Sequence, residues 1–301
     1  MRIAIIGGAG FIGSHVSQQL VAAGHQVRIS ASKPEDTARY AHLAGLAGVE
    51  LVPLNLLQPD TIPPFIAGCE VVVHSGTPFQ LAFGNPVKEL IEPTVNGTKH
   101  LLKAVADNAG VKKLVVVASV AALNTHFPQN PPSCNGQIDE STETYFSPDD
   151  HPYAQAKYLA DQLVREFVDT YTGDCELVSV CPVGVFGKAL SDREDSTSVG
   201  MQHLFKNRIA PDDFVQMMYD TDLHFAVVDV RDVAAGIVEA ATRTGLHGRH
   251  YLLSAESHRV SDIGRMLNGK TPLNKGITVY DAGASERDLG LTYTPAVSFL
   301  G

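Results

Sequence analysis

Two side chains that could move a proton lie four residues apart, where a helix is predicted to begin. In "HPYAQAKYLADQLV" (residues 151–164), Tyr153 and Lys157 would lie one above the other on one face of that helix. An ammonium group fixed beside a phenol favours the phenolate, so the phenol could donate and accept a proton near neutral pH. A surface tyrosine and a solvated lysine at chance spacing would give the same pattern, so the surrounding elements must decide between these interpretations.

A glycine-rich turn near the N-terminus is the second candidate site. "IAIIGGAGFIGSHV" has the spacing G-x-x-G-x-x-G from Gly7 to Gly13, between a predicted strand and a predicted helix. Glycines there let a pyrophosphate approach the backbone, and the first amides of the helix face the anion. A purely structural turn is the alternative, but the strand-turn-helix context favours a bound dinucleotide. The predicted contacts are Gly7, Gly10, Phe11, Ile12 and Gly13.

The end of the second predicted strand, "VRISASKPEDTAR", bears on which dinucleotide is bound. NAD sites usually place an acid there that holds the ribose 2′-hydroxyl, but this chain has Ser30, Ala31 and Ser32. Hydroxyls and cations attract a 2′-phosphate, which an acid would repel. We therefore predict NADP rather than NAD, with Ser32, Lys33 and Arg39 as contacts. Solvated surface charges are the alternative for the two cations.

Composition argues against several classes of function. The 301 residues carry a net charge of -10 and no Lys/Arg-rich run, which argues against a nucleic-acid or membrane partner. No apolar run reaches membrane-spanning length. The four cysteines form no C-x-x-C pair, and the twelve histidines show no metal-binding spacing. We therefore predict reduced thiols, no metal site and a cytoplasmic location.

Strand and helix signals alternate along the first part of the chain. The predicted strands are nearly continuous apolar runs, which is typical of a parallel sheet covered on both faces. This alternation predicts an α/β fold, a Rossmann-type doubly wound parallel sheet with ligands at the carboxyl ends of the strands. The strands are predicted at 2–7, 25–30, 49–54, 70–75, 112–120, 175–183, 224–230 and 249–254.

The C-terminal part is predicted to be a small substrate-binding lobe. We predict a dinucleotide-binding domain over 1–182 and mainly the lobe over 183–301, with some segments returning to the Rossmann core. The chain after Phe186 is predicted to be irregular up to the strand at 224. The Pro-, Asn-, Asp- and Ser-rich loop 123–150 is long for a compact domain, so we interpret it as the rim of an active site.

Two predicted helices carry proline. One covers 34–46, with Pro34 near its first turn. The other covers 86–110 and is expected to be disturbed near Pro93, which cannot donate a backbone hydrogen bond.

With the glycine turn and the Tyr-Lys pair located, residues 2–295 resemble the extended short-chain dehydrogenase/reductases of the NAD-dependent epimerase/dehydratase superfamily. "EVVVHSGTPF" (70–79) and "PTVNGTKHLL" (93–102) are similar to the branch of dihydroflavonol, cinnamoyl-CoA and related aldehyde or ketone reductases. The resemblance implies NADPH-dependent hydride transfer to the carbonyl group of a small or medium aldehyde or ketone.

The resemblance also implies roles for individual residues. Ser119 matches the serine that hydrogen-bonds the substrate carbonyl, Tyr153 the catalytic acid/base, and Lys157 the lysine that assists it and holds the nicotinamide ribose. Asn124 matches a substrate-contacting asparagine, with a loop cap as the equal alternative. The other cofactor contacts that the resemblance implies are Asn55, Leu56, Ser75, Gly76, Thr77, Pro182 and Val183.

Aromatic residues outside these motifs are candidates for the substrate pocket. Phe79 and Phe186 are predicted to line it, although aromatic and methionine side chains pack in cores more often than they contact ligands. For "QMMY" (216–219), a place in the pocket wall and a place in the core are predicted with equal weight. We interpret His126 as a surface loop residue rather than a proton relay.

Two other functions stay open beside the reductase. A nucleotide-sugar epimerase or dehydratase would share the fold, but relatives with epimerase activity commonly carry Asn where this chain has Thr94, and the acid pair of dehydratases is absent from "SVAALN". A non-catalytic NADP-binding regulator could lose the Tyr and Lys that this chain keeps. The predicted partner is a small-molecule carbonyl substrate, and the chain is expected to be a monomer or a homodimer paired through helices at 86–108 and 151–171.

Overall fold

Within the part of the chain that the structure describes, seven parallel strands form the central sheet. The structure is a computed structural model, and it describes residues 1–76, 84–130, 136–144, 146–191 and 196–301. In sheet order the strands are β3 (Val49–Pro53), β2 (Gln26–Ala31), β1 (Arg2–Ile6), β4 (Val71–His74), β5 (Lys113–Val117), β6 (Glu176–Pro182) and β9 (His250–Leu253).

The strand order places a binding crevice at the middle of the sheet. The chain runs from β1 to β2 and β3 on one side and returns to β4 and β5 on the other, so the order reverses between β1 and β4. Ligands of doubly wound sheets bind at such a reversal, outside the carboxyl ends of the strands. Ile3 and Ile5 face one core, whereas Ala4 and Ile6 face the other. The predicted parallel sheet, covered on both faces, is confirmed.

Helices cover both faces of the sheet. α1 (Phe11–Ala22) and α8 (Val230–Thr242) pack together on the first core. α3 (Ile62–Ile66), α4 (Glu92–Ala106) and α5 (Pro152–Thr170) pack on the second. Among the described residues, no helix combines the length and the apolar character needed to cross a bilayer. The other helices are α2 (Ala41–Ala44), α6 (Thr197–Asn207), α7 (Asp213–Thr221), α9 (Val260–Leu267), α10 (Gly283–Leu289) and α11 (Ala296–Phe299).

The C-terminal part adds a smaller sheet with a core of its own. β8 (His224–Asp229) pairs in parallel with β7 (Gly184–Phe186) and antiparallel with β10 (Glu256–Arg259). Helices α6, α7 and α9 pack around Phe205, Met218 and Ile263 in this core. Between β8 and β10 the chain returns to the central sheet through β9.

Two predictions of local structure are wrong. The segment after Phe186 is not irregular throughout, because it contains α6 and α7. The buried residues of α6 are Leu204 and Phe205, so its sequence lacks a clear apolar period. The helix predicted over 34–46 is a 3₁₀ turn (Thr37–Tyr40) followed by the short α2, because the Asp36 carboxylate caps the turn at the Arg39 amide.

One other prediction of local structure is confirmed, and the described cysteines are buried. The disturbance expected near Pro93 is confirmed, since a π-helical turn (Val87–Ile91) leads into α4. Cys69, Cys175 and Cys181 are free, buried thiols, and Cys134 lies outside the described residues. Burial raises the pKa of the Cys175 thiol to about 11, so this thiol stays protonated near neutral pH.

Candidate active site

A cavity of about 620 Å³ lies over the carboxyl ends of the central strands. Residues that follow β1, β2, β4, β5 and β6 all reach its wall, as expected for the reversal between β1 and β4. Of the sequence-predicted site residues, the cavity brings together Gly7, Gly10, Phe11, Ile12, Gly13, Ser32, Arg39, Ser75, Gly76, Ser119, Asn124, Tyr153, Lys157, Pro182, Val183 and Phe186.

The glycine turn is held by close backbone contacts. Gly7 has a φ of +79°, a conformation that side chains disfavour, and its amide donates to Ser30 Oγ at 2.9 Å. A Cβ on Gly13 would lie 2.1 Å from the Gly7 carbonyl oxygen, so helix α1 can pack this closely on β1 only with glycine. A Cβ on Gly7 would lie 2.8 Å from Gly76 Cα, so the turn after β4 packs equally closely.

The N-terminus of α1 fits the phosphates of a dinucleotide. Gly10 is its N-cap, and within the described residues no side chain caps it. The first turn of the helix holds no acid, and Phe11 and Ile12 line the cavity. Because the first amides of a helix lack intrahelical partners and carry partial positive charge, this end of the cavity suits an anion.

Ser119, Tyr153 and Lys157 are positioned by two neighbouring elements. Ser119 follows β5, and its Oγ accepts a hydrogen bond from the Ala121 amide at 3.1 Å. Tyr153 lies in the first turn of α5, where His151 Nδ1 accepts the Tyr153 amide at 3.2 Å. Each of the three predicted catalytic residues therefore faces the cavity from a backbone that is fixed locally.

Lys157 is buried between α5 and the sheet. Its Nζ lies 5.9 Å from the centre of the Tyr153 ring and donates to the Val117 carbonyl at 3.4 Å. The residue is only 8% exposed, so its charge acts on its neighbours with little screening by water.

His74, at the end of β4, was missed by the sequence analysis. Burial, and then the charge of Lys157, lower the pKa of its imidazole to about 3. His74 is therefore neutral near Lys157, and among the described residues its Nδ1 has no hydrogen-bond partner. A histidine that ends an otherwise apolar strand is the signal that could have identified it.

The predicted 2′-phosphate contacts lie in different places. Ser32 and Arg39 line the cavity, whereas Lys33 is absent from the described lining and its amide donates to the Tyr40 hydroxyl at 3.4 Å. Sequence distance from a strand end does not set the direction of a side chain, so Lys33 could follow β2 closely and still be exposed outside the cavity.

Asn55 and Leu56, predicted as cofactor contacts, are absent from the described lining of the cavity. Asn55 Oδ1 caps its own turn by accepting the Leu57 amide at 3.0 Å, and the Leu56 carbonyl accepts from His100 Nδ1 at 2.7 Å. Within the described lining, Leu54 takes the place expected for these two residues. Thr77 and Phe79, also predicted site residues, lie outside the described residues.

Aromatic side chains form another part of the cavity wall. Phe127 packs edge-on against Phe214 and Phe225, with ring centres 6.3 and 6.0 Å apart. Phe186, as predicted, lines the same cavity, and so does Met218 from the "QMMY" segment. Sequence reasoning missed Phe127, Phe214 and Phe225, because they come from three different elements.

Other residues of "QMMY" serve the core. The Tyr219 hydroxyl lies 2.7 Å from the Leu204 carbonyl and 3.1 Å from the Ile209 carbonyl, and it can donate its one proton to either. Tyr219 is absent from the described lining of the cavity. Burial raises the pKa of this phenol above its usual range. Tyr219 therefore ties α7 to α6.

Asn124 provides a polar group among these apolar side chains. The residue is 2% exposed, and its Nδ2 donates to the Tyr280 hydroxyl at 3.2 Å. Among the described residues its Oδ1 has no hydrogen-bond partner. That oxygen is itself buried, so the amide group belongs to the packed wall of the cavity.

The interpretation of His126 as a surface histidine needs correction. Its Nδ1 lies 2.5 Å from Asp150 Oδ1, and the imidazole is mostly buried. Asp150 also accepts the Ser147 amide at 3.1 Å. The pair joins the two ends of the predicted rim loop 123–150, and it contributes to the wall of a smaller neighbouring cavity.

Comparison with known proteins places this site in a family. The sequence profile of the NAD dependent epimerase/dehydratase family matches residues 3–254. Cinnamoyl-CoA reductase CAD2 from Medicago truncatula is 25% identical over 314 aligned residues, which cover 97% of this chain and 91% of that protein. Anthocyanidin reductase from Arabidopsis thaliana is 25% identical over 97% of this chain and 86% of that protein.

A solved structure gives the same fold. Yeast methylglyoxal/isovaleraldehyde reductase Gre2, complexed with NADPH, matches 100% of this chain and 96% of its own chain with a TM-score of 0.82. The sequences are 21% identical, so this likeness concerns the fold. The family profile covers most of the chain and includes the glycine turn, Ser119 and the Tyr-Lys pair. The chain therefore belongs to the NAD-dependent epimerase/dehydratase family.

Proposed function

We propose that the protein reduces the carbonyl group of an aldehyde or ketone of small or medium size with NADPH. The observation that carries the proposal is that Ser119, Tyr153 and Lys157 face the same cavity as the uncapped N-terminus of α1. A hydroxyl, a phenol and a fixed cation beside a dinucleotide site are groups that carbonyl reduction can use for proton transfer and charge stabilisation.

Residues along the cavity would hold the cofactor. The first turn of α1 would bind the pyrophosphate, and Lys157 with Pro182 and Val183 would hold the nicotinamide end. When bound, NADPH supplies the hydride for the carbonyl carbon.

The side chains of the protein act on the carbonyl oxygen, where negative charge develops. Ser119 Oγ already accepts the Ala121 amide, so its hydroxyl proton can be directed to the substrate oxygen. Tyr153 donates the second hydrogen bond and transfers its proton to that oxygen. The Lys157 ammonium group, 5.9 Å from the centre of the Tyr153 ring, lies beside this proton donor. These interactions strengthen as charge develops, which lowers the barrier.

The preference for NADPH over NADH rests on the end of β2. The described lining there includes Ser30, Ser32 and Arg39 and holds no carboxylate. A guanidinium and a hydroxyl can bind the 2′-phosphate, whereas the acid of a typical NAD site would repel it.

The substrate is proposed to have an apolar body. The rings of Phe127, Phe214 and Phe225 offer an apolar surface to a ligand in the cavity.

This wall argues against a nucleotide-sugar substrate. The diphosphate of such a substrate needs cations, but in the described lining that α6, α7 and β8 contribute, with the loops beside them, the charged side chain is that of Asp212. An acid disfavours a phosphate group. We therefore prefer a reductase to an epimerase or dehydratase.

The proposal is tested with purified protein, NADPH or NADH, and a panel of aldehydes and ketones, with cofactor oxidation followed by absorbance. We expect turnover with NADPH in preference to NADH. Tyr153→Phe should lower turnover about a hundred- to ten-thousand-fold, because the proton donor is removed. NADPH affinity should stay within about twofold, since the phenol is not needed to bind the phosphates.

Tyr158→Phe is the matched control. Tyr158 lies on the same helix but outside the described cavity lining, and its ring stacks on Phe146 with the centres 5.5 Å apart. Removal of the Tyr158 hydroxyl should leave turnover unchanged. Full activity in Tyr153→Phe would contradict the assigned role, tight NADPH binding without any turnover would favour a regulator, and conversion of a nucleotide-sugar would favour an epimerase.

A further inference from the structure

His151 is the N-cap of α5, the helix whose first turn carries the proposed proton donor. Its Nδ1 accepts a hydrogen bond from the Tyr153 amide at 3.2 Å, and its side chain lines the cavity. A cap of this kind satisfies an amide at the start of a helix that has no partner inside the helix. The capped amide belongs to Tyr153 itself, so the cap holds the backbone from which the phenol projects.

This cap can be removed by a proton, unlike the usual ones. Serine, threonine and asparagine cap a helix with an oxygen that accepts throughout the neutral range, whereas an imidazole nitrogen accepts only while it is unprotonated. A proton on Nδ1 would face the hydrogen of the Tyr153 amide. It would also place a positive charge at the positive end of the helix dipole, in a first turn that holds no acid.

Helix α7 supplies the groups that face His151 across the cavity wall. The Phe214 ring lies against the imidazole with the ring centres 5.1 Å apart, and the Asp212 carboxylate caps α7 at the Val215 amide. Partial burial lowers the pKa of the His151 imidazole below 6.5, and the charge of Asp212 offsets part of this effect. The neutral, capping form is therefore the one present at neutral pH. A protonated ring would be attracted to Asp212 and repelled by the helix.

The rim loop supplies the other titratable groups near His151. His126, Asp149 and Asp150 line the smaller neighbouring cavity, which His151 also lines. The Asp150 carboxylate already pairs with His126 and accepts the Ser147 amide. These groups lie on the loop and not on α5, so they cannot replace the hydrogen bond that the Tyr153 amide loses.

We propose that His151 is a positioning residue: its neutral imidazole holds the first turn of α5, and with it Tyr153, and protonation releases that turn. This inference rests on the proposed function, in which Tyr153 delivers the proton to the substrate. The protein would then lose the alignment of its proton donor as the pH falls, while the phosphate contacts at the N-terminus of α1 stay in place.

The first test compares three proteins between pH 8 and pH 5, at saturating NADPH and with one carbonyl compound that the wild type reduces. At pH 8, His151→Ala should lower kcat about fivefold because the cap is lost, and His151→Asn should recover most of this loss, because its oxygen can cap. As the pH falls below 6.5, kcat of the wild type should fall relative to that of His151→Asn and approach that of His151→Ala.

The second test needs no substrate and no turnover. Hydrogen exchange of a peptide that covers the start of α5 is followed by mass spectrometry, with the proteins compared at the same pH. The wild type and His151→Asn should agree within about twofold at pH 8. At pH 5 the wild type should exchange faster, because its cap is protonated and that of the variant is not.

His224→Asn is the matched control. Burial lowers the pKa of His224 as well, but this residue begins β8 and is absent from the described lining of the cavity. Its kcat should keep a constant ratio to that of the wild type across the pH range. Thermal unfolding checks that each variant is folded, and the comparison of wild type with His151→Asn stands without the alanine variant.

The outcomes separate this inference from the function on which it rests. A constant ratio of kcat between His151→Asn and the wild type, equal exchange at pH 5, or an effect confined to KM would overturn the role of His151 and leave the reductase standing. A wild type that binds NADPH and reduces no carbonyl compound would overturn the proposed function. The exchange experiment would then still decide whether His151 holds the first turn of α5.

Discussion

The proposed cofactor end of the cavity, at the glycine turn, and its proposed substrate end, at the rings of Phe127, Phe214 and Phe225, are built by different means. At the cofactor end backbone meets backbone, since a Cβ on Gly13 would lie 2.1 Å from the Gly7 carbonyl oxygen. At the substrate end side chains meet side chains, with the ring of Phe127 about equally far from those of Phe214 and Phe225. The first arrangement tolerates almost no added atom, whereas neighbouring rings can adjust to changes of shape.

This difference indicates which part of the site tolerates substitution and which part does not. The close contacts of the glycine turn and the fixed first turn of α5 serve any reaction that uses a nicotinamide dinucleotide. The aromatic wall combines side chains from the rim loop, α7 and β8, so its shape follows from the packing of three elements. The choice of substrate is therefore expected to change gradually with substitution, and cofactor binding abruptly.

Among the substitutions that test this comparison, Gly13→Ala should have the largest effect on NADPH affinity. Its methyl group meets a backbone oxygen, so the turn must open, and we expect NADPH affinity to fall about a hundredfold. The free energy of unfolding should fall by about 1–3 kcal/mol. Cofactor titration and urea unfolding measure the two effects.

Gly45→Ala is the control for this substitution. Gly45 has a φ of -86°, and a Cβ there would meet nothing within 4 Å. Its stability should change by no more than about 0.5 kcal/mol. Normal NADPH binding by Gly13→Ala would show that the glycine turn can accept an added methyl group without losing its shape.

The cofactor end could be predicted because its signals are local in sequence. Each predicted strand overlaps a strand of the structure, and the glycine turn and the Tyr-Lys pair each lie within a few residues. The match to the family profile confirms the predicted family, and with it an enzyme that uses a nicotinamide cofactor. The roles of individual site residues, including Ser119, Tyr153 and Lys157, stay predictions.

The substrate end could not be predicted, because no local pattern marks it. Phe127, Phe214 and Phe225 are far apart in the sequence, and each looks like an ordinary core residue until α7 and β8 bring them together. The predicted contacts Lys33 and Asn55 fail to reach the cavity wall for a related reason. Their positions after a strand could be predicted from the sequence. The directions of their side chains could not, because these depend on turns that form only with the whole fold.

Phe127→Leu should have the next largest effect, confined to the substrate end. It removes two edge-on ring contacts, each worth about 0.5–1.5 kcal/mol. We expect KM for an aromatic ketone to rise about tenfold, with NADPH affinity unchanged. Phe146→Leu is the control, since Phe146 stacks on Tyr158 and is absent from the described lining of the cavity. A comparable loss of NADPH affinity in Phe127→Leu would mean that the two ends are not independent.

The smallest expected effect concerns His74, which ends β4 and lies near the charge of Lys157. Burial and the nearby charge lower its pKa from 6.5 to about 3 in the folded protein. Between these values the unfolded chain binds a proton that the folded protein excludes, so the free energy of unfolding falls as the pH is lowered through this range. The contribution of one such group is at most about 1.4 kcal/mol per pH unit.

His74→Leu isolates this contribution, because other histidines titrate equally in the variant and the wild type. Urea unfolding at pH 7.5, 6 and 5 should show a constant difference above about pH 6.5 and a growing relative gain for the variant below it. Leucine fills a similar volume and brings no polar atom, so the loss of a histidine nitrogen that lacks a partner costs little. Parallel curves across the range would mean that His74 takes up its proton equally well in the folded protein. The imidazole would then be charged beside Lys157 under acid conditions, and the cofactor end would be less rigidly defined than its glycine contacts indicate.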